Sequence, residues 1–254
     1  MILILQSVPS YNPNEVPFKV VTLQTQLTNL TNLNNAANTS YATLKNARIQ
    51  RNLFFYAKDT GALDIVKQVK AYVKSEDGTF LRSFRVEAYF DAPIEAVTRL
   101  HADVDSYARW YFLVLEAKLL KKVSDKEFIF YMVHDAPVGM ADRDVVMKAT
   151  IEPMTAKKPY IVINMVSLPD YLPPQKPYER MATENYVIKL TPQGKDRTLL
   201  ESEGFIDPGG ASPAWAVNFV QGKGPYSNML GMRRMLTLPQ YQDKKAVVPF
   251  TFFE

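Results

Sequence analysis

The chain has 254 residues, 47% of them apolar, enough for one large domain or for one domain with an extension. It has no cysteine, which excludes disulfides, thiolate nucleophiles and cysteine-ligated zinc and leaves the redox compartment open. A net charge of +4, scattered and without a basic stripe interleaved with aromatics, argues against nucleic acid as a partner and suits an anionic membrane surface somewhat better than a neutral one.

No apolar run reaches the length of about 18 residues that a spanning helix needs. Met1–Leu5 is apolar but short, with no basic lead and no small-residue cleavage site after it, so it does not read as a signal peptide as it stands. On that reading the protein is soluble and cytoplasmic, or periplasmic or secreted if a signal segment was removed.

Residues 6–17 carry three prolines and read as an arm. In 22–46, Leu23, Leu27, Leu30, Ala37, Tyr41 and Leu44 recur near a 3.5-residue period, which predicts one or two helices with an uncharged Asn/Thr/Gln face. The two Asn-X-Ser/Thr triplets there are expected by chance in such a tract. From Ile65 the period becomes that of strands, with strands expected over 65–74 and 79–90 about an Asp77-Gly78 turn. Asp91 is expected to cap a helix carrying Ile94, Val97, Leu100 and Val104 on one side. Further strands are expected over 113–122 (Leu113, Leu115, Ala117 and Leu119 facing one way), 127–134, 144–152 and 159–166. After a proline-rich loop at 169–177, a hairpin is expected from 182–190 and 197–206 about Gly194.

Ser212–Leu236 reads as a long amphipathic helix, with Ser212 as N-cap and Pro213 as first helical residue. Gly222, Gly224 and Pro225 predict a kink or break, because an interior proline costs about 3 kcal/mol. The helix could cover a solid core or act as a lid. The order of elements implies an α+β fold in which sequential antiparallel strands form a curved sheet with the last helix across it. The expected division is an extension at 1–45, a domain at 46–241 and a tail at 242–254.

Several stretches, in order, resemble the START (StAR-related lipid transfer) family of helix-grip, Bet v1-like proteins: FRVEAYFDAPIE at 84–95, DVDSYARW at 103–110, APVGMADRDVV at 136–146 (the most specific), the proline-rich stretch 173–180, and the 212–236 helix with its Pro-x-Trp opening. The resemblance covers about residues 50 to 240. It implies a helix-grip fold and a tunnel holding one lipid, with no catalytic group, no cofactor and no metal. Sterol-binding members carry an arginine where this chain has a residue at or next to Ala149, so the resemblance implies an apolar wall there.

Alternation selects Met132, His134, Val145, Met147, Ala149, Ile163, Met165, Tyr186 and Ile188 as inward, ligand-facing residues of the strands, joined by Phe219, Val220, Met229 and Leu230 of the helix. Ten methionines suit an adaptable apolar surface. Trp110, Arg143 and Asp144 read as structural, with an Arg143–Asp144 arrangement fixing the loop 135–142. His134 beside Asp135 is a candidate general base, but a lone histidine at a strand end is more often a polar wall or surface residue. Loop 136–142, with Val138 and Met140, is expected to gate the cavity at a membrane. The expected partners are a phospholipid, fatty acid or sterol-like lipid and a transient membrane contact, with the protein a monomer. The alternative reading is a polyketide cyclase or aromatase using the same cavity, or a cavity-poor interaction domain.

Overall fold

The computed structural model describes residues 20–56, 68–75, 81–136, 139–210, 212–243 and 249–254. They belong to two units, Met1–Asp64 and Ile65–Glu254. The proline arm at 6–17, the Asp77-Gly78 turn and Val138 lie outside the described residues.

In the first unit, α1 (Val20–Tyr56) is one uninterrupted helix rather than two. Threonines at 25, 28, 31, 39 and 43 each bond their hydroxyl to the carbonyl four residues back. Within a helix this occupies a side chain that would otherwise compete for turns. Leu27, Leu30, Leu33, Tyr41 and Leu44 are exposed.

The second unit is a curved, unclosed nine-stranded sheet. Its strands are β1 (Val69–Ser75), β2 (Arg82–Phe90), β3 (Val114–Ser124), β4 (Glu127–His134), β5 (Arg143–Glu152), β6 (Ile161–Ser167), β7 (Glu179–Arg180), β8 (Thr183–Pro192) and β9 (Thr198–Asp207). The order across the sheet is β1-β2-β9-β8-β6-β5-β4-β3, antiparallel throughout, with the two-residue β7 running parallel to β5. The β8–β9 hairpin closes with Gln193 N–H on the Arg197 carbonyl (2.8 Å) and Gly194 at φ +81°, as its glycine predicts. The helices of this unit are α2 (Ile94–Ala102), followed by a 3-10 turn (Val104–Arg109), then α3 (Ala214–Leu236) and the short α4 (Pro239–Gln242).

Three local expectations change. Alternation on β3 puts Leu115 and Leu119 inward, yet both are exposed, because three register shifts against β4 break the two-residue period on this edge strand. Asp91 does not cap α2: the N-cap is Pro93, without a side-chain bond, and Asp91 lies 3.5 Å from the Arg197 Nε. Pro213, not Ser212, is the N-cap of α3, and α3 passes through Pro225 without a break. The ring of Pro225 is buried.

The core lies on the concave face. Alternation puts Val145, Met147, Ala149 and Ile151 of β5 in it, with Ile161, Ile163 and Met165 of β6 and Tyr186, Ile188 and Leu190 of β8. A smaller cluster on the other face joins Ile129, Tyr131, Val133 and Val146 to Leu168, Leu172 and Tyr178. β5 is thus covered on both sides, which explains its near-continuous apolar run.

Candidate functional site

The hollow between sheet and helix is only partly filled. Phe128, Phe130, Tyr107, Trp110 and Tyr111 form a continuous set of edge-on, tilted and stacked rings, with centroids 5.1–6.0 Å apart. α3 lies directly on this set: a Cβ at Gly231 would come within 2.2 Å of the Trp110 carbonyl oxygen, so only glycine permits that approach. Beside this set, with Tyr107, Trp110 and Tyr111 as part of its wall, a cavity of about 140 Å³ remains between α3 and strands β2, β4, β5, β6, β8 and β9. That volume is close to an engineered cavity that holds benzene, about 150 Å³, and below the roughly 300–1,000 Å³ of ordinary ligand pockets.

His134, Met165, Tyr186, Ile188, Val220 and Met229, all expected to face the ligand, line this cavity. Met132, Val145, Met147, Ala149 and Ile163 are buried in the main cluster but belong to its filled part. Phe219 points away, 55% exposed, and Leu230 is half-buried outside the lining. The cavity-facing stripe of α3 is Ala216, Val217, Val220, Gln221, Gly224, Pro225, Asn228, Met229 and Met232, a 3.6-residue stripe that leaves Phe219 and Leu230 on its flanks.

Arg143 and Asp144 do not act on one another, because consecutive strand residues face opposite sides. Arg143, 6% exposed, lines the cavity; its guanidinium donates to the Ala141 carbonyl and to Ser212 Oγ (2.7 Å) and pairs with Glu179 (2.9 Å). It therefore ties loop 139–142, β7 and the start of α3 together, and Ser212 serves as its acceptor instead of capping the helix. Asp144, fully buried on the other face, takes both arms of Arg180 (3.0 and 2.9 Å), whose remaining donors hold the Pro169, Leu172 and Pro173 carbonyls. Trp110 donates its indole N–H to Ser106 Oγ at 3.3 Å, a structural bond.

The wall is not wholly apolar. Glu184 is fully buried, and its Oε1 accepts from the Tyr111 hydroxyl at 3.3 Å; that hydroxyl lies 3.4 Å from the Tyr186 hydroxyl. Glu184 Oε2 and His134 Nε2 are 3.2 Å apart, but their directions of approach do not make a hydrogen bond, and both atoms are buried without one. Burial, and then the Glu184 charge, holds Tyr111 well above the ordinary phenol range; burial, and then Tyr111, does so for Tyr186. The carboxylate beside His134 is thus Glu184, fifty positions away, and not Asp135. Its signal in the sequence was parity: Glu184 alternates in step with Tyr186 and Ile188. His101, also on the wall, is pushed down to about 4 by burial, with its Nδ1–H directed to the Val97 carbonyl at 2.8 Å.

Both halves of α3 are tied to the body by side-chain bonds. Beyond Pro225, Asn228 Oδ1 accepts from the Phe112 N–H (2.6 Å), Arg233 donates to the Tyr89 carbonyl and to Gln68, and Arg234 donates to the Arg109 carbonyl (2.6 Å). Before it, the side-chain bonds include Arg143–Ser212 and Gln221 Nε2 on the Ile206 carbonyl (2.8 Å), and Asn218 is also engaged. Trp215 and Phe219 on this half are exposed. Among the described residues no group of three or more His, Asp or Glu could hold a metal ion, and no helix is long and apolar enough to cross a membrane.

Comparisons with known proteins agree with this architecture. A crystal structure of a StAR-related lipid transfer protein fragment from Xanthomonas axonopodis is 27% identical, with a TM-score of 0.63 over 68% of this chain and 95% of that one. Human STARD10 shares the fold at 20% identity, with a TM-score of 0.60 over 70% of this chain and 73% of its own. An uncharacterized protein of Pseudomonas aeruginosa is 27% identical over 165 residues, 65% of this chain and 80% of the relative. The model of the START domain matches residues 65–244, nearly the whole of the second unit: the chain belongs to the START domain family.

Proposed function

We propose that this START domain binds a single apolar molecule, without chemical change to it, in the cavity between sheet and α3, and exchanges it at a membrane surface. The observation that carries the reading is the cavity between sheet and α3, lined by Phe84, Val86, Met165, Leu200, Met229 and Met232. Burying about 400 Å² of ligand at about 25 cal/mol per Å² yields about 10 kcal/mol gross, and the losses of association bring this to micromolar or nanomolar affinity.

At about 140 Å³ the cavity is too small for a lipid, so loading requires the first half of α3 and loop 139–142 to move outward. Trp215 and Phe219 stand at that edge and suit a lipid–water interface, where aromatic side chains are favoured. Titration with Nile red, an uncharged apolar dye, tests the site: one saturable equivalent is expected. The substitution Ala216→Phe, which fills the cavity from α3, should abolish it with the circular dichroism spectrum unchanged. Undiminished binding by a folded Ala216→Phe protein would put the ligand elsewhere.

A second reading is favoured by the buried Glu184–His134 pair: an enzyme of the cyclase kind, with His134 as general base oriented by Glu184 and the two tyrosines as donors. Recovery of bound compounds with altered mass after incubation would select it over simple carriage.

A further inference from the structure

We infer that the Glu184–His134–Tyr111–Tyr186 cluster is a polar seat that selects a neutral, hydroxyl-bearing amphiphile over an anionic one. This deepens the carrier reading and rests on it. Glu184 and His134 leave two polar atoms, Oε2 and Nε2, side by side, buried and without a hydrogen bond. Buried polar atoms left unmet lose the hydrogen bonds they had in water, so a ligand atom that meets both recovers that loss. A hydroxyl oxygen does so with one atom: it donates to Glu184 Oε2 and accepts from a His134 N–H. The two phenols lie on the other side of the same carboxyl, Tyr111 on its Oε1 and Tyr186 beyond Tyr111.

The charges around the cavity oppose an anion. Glu184 and Asp135 both line it, and the one arginine there, Arg143, is already engaged by Glu179, Ser212 and the Ala141 carbonyl. His101, the other histidine on the wall, is held uncharged by burial. A fatty-acid carboxylate or a phospholipid phosphate brought against Glu184 places two acidic groups in one dry site, where like charges are disfavoured. An alcohol brings no charge. The remainder of the wall is hydrocarbon and aromatic, which fits a long-chain or ring-shaped body of any saturation.

The test is displacement of Nile red from the intact protein at pH 7.5 by 1-dodecanol and by dodecanoate, which share a chain and differ at the polar end. Dodecanol should displace the dye at a concentration at least about tenfold lower, and Glu184→Gln should bring the two within about threefold. Equal potency, or preference for dodecanoate, in the wild-type protein overturns the seat, and this arm needs no variant to fold. A tenfold preference that survives unchanged in a folded Glu184→Gln protein also overturns it. Failure of the protein to bind Nile red at all sinks the carrier reading itself, a different outcome from dye binding without alcohol preference.

Discussion

His101 packs edge-on against Trp110 with ring centroids 6.1 Å apart, and burial pushes its pKa from 6.5 down to about 4. Above pH 6.5 it is neutral in both folded and unfolded chains and its stability contribution is complete. Between about 6.5 and 4 the unfolded chain takes up the proton and the folded one does not, so stability falls with pH and reaches a loss of about 3 kcal/mol below that range. Urea unfolding at pH 7 and pH 5 should give a wild-type loss that His101→Gln lacks; parallel losses in the two proteins would contradict the assignment. Asp144→Asn leaves the Arg180 guanidinium, itself mostly covered, without its carboxylate and loosens the proline loop it holds. A loss of about 3 kcal/mol in the same unfolding measurement is expected for a broken buried pair, and a loss below about 1 kcal/mol would show the pair to be dispensable. Parity made the separation of Arg143 and Asp144 readable in advance, since neighbours on a strand face opposite sides. It also made Glu184 readable as inward. What the sequence does not contain is the distance from Glu184 to His134, because two strands, β5 and β6, lie between theirs in the sheet.

At the level of elements, α3 is one continuous helix with a proline inside it. The expected break at Pro225 is absent, but the glycines and the missing proline N–H still soften the middle. Gly224 is a clean place to test this, since a Cβ there meets only the Phe112 ring at 3.5 Å, an ordinary contact. Gly224→Ala with Pro225→Ala should stiffen the helix and slow transfer of a fluorescent lipid between vesicles by about tenfold. Equal transfer rates would show that α3 does not hinge there. The strands of β5, β8 and β9 were legible because their two-residue period is regular. β3 was not, because each bulge reverses the parity of the residues that follow. Phe219 and Leu230 were misplaced for a related reason: a stripe drawn from every three- and four-residue step is wider than the face that α3 turns to the cavity.

Across the whole second unit, a curved sheet under one helix leaves more room than its side chains fill. The aromatic set of Tyr107, Trp110, Tyr111, Phe128 and Phe130 fills part of the hollow, and its first three rings form a wall of the cavity that remains, so packed core and cavity adjoin. The family was legible from short ordered motifs, since strand ends, turns and the helix opening are fixed by local chemistry. The extent of the cavity was not, because it depends on how side chains from most strands and from α3 pack together in three dimensions. The most direct measurement is native mass spectrometry of protein purified without detergent, followed by extraction into organic solvent. The account predicts one apolar molecule per chain, released on extraction with unaltered mass and bearing a neutral polar end. A protein that is empty, and that stays empty after incubation with vesicles, would contradict it.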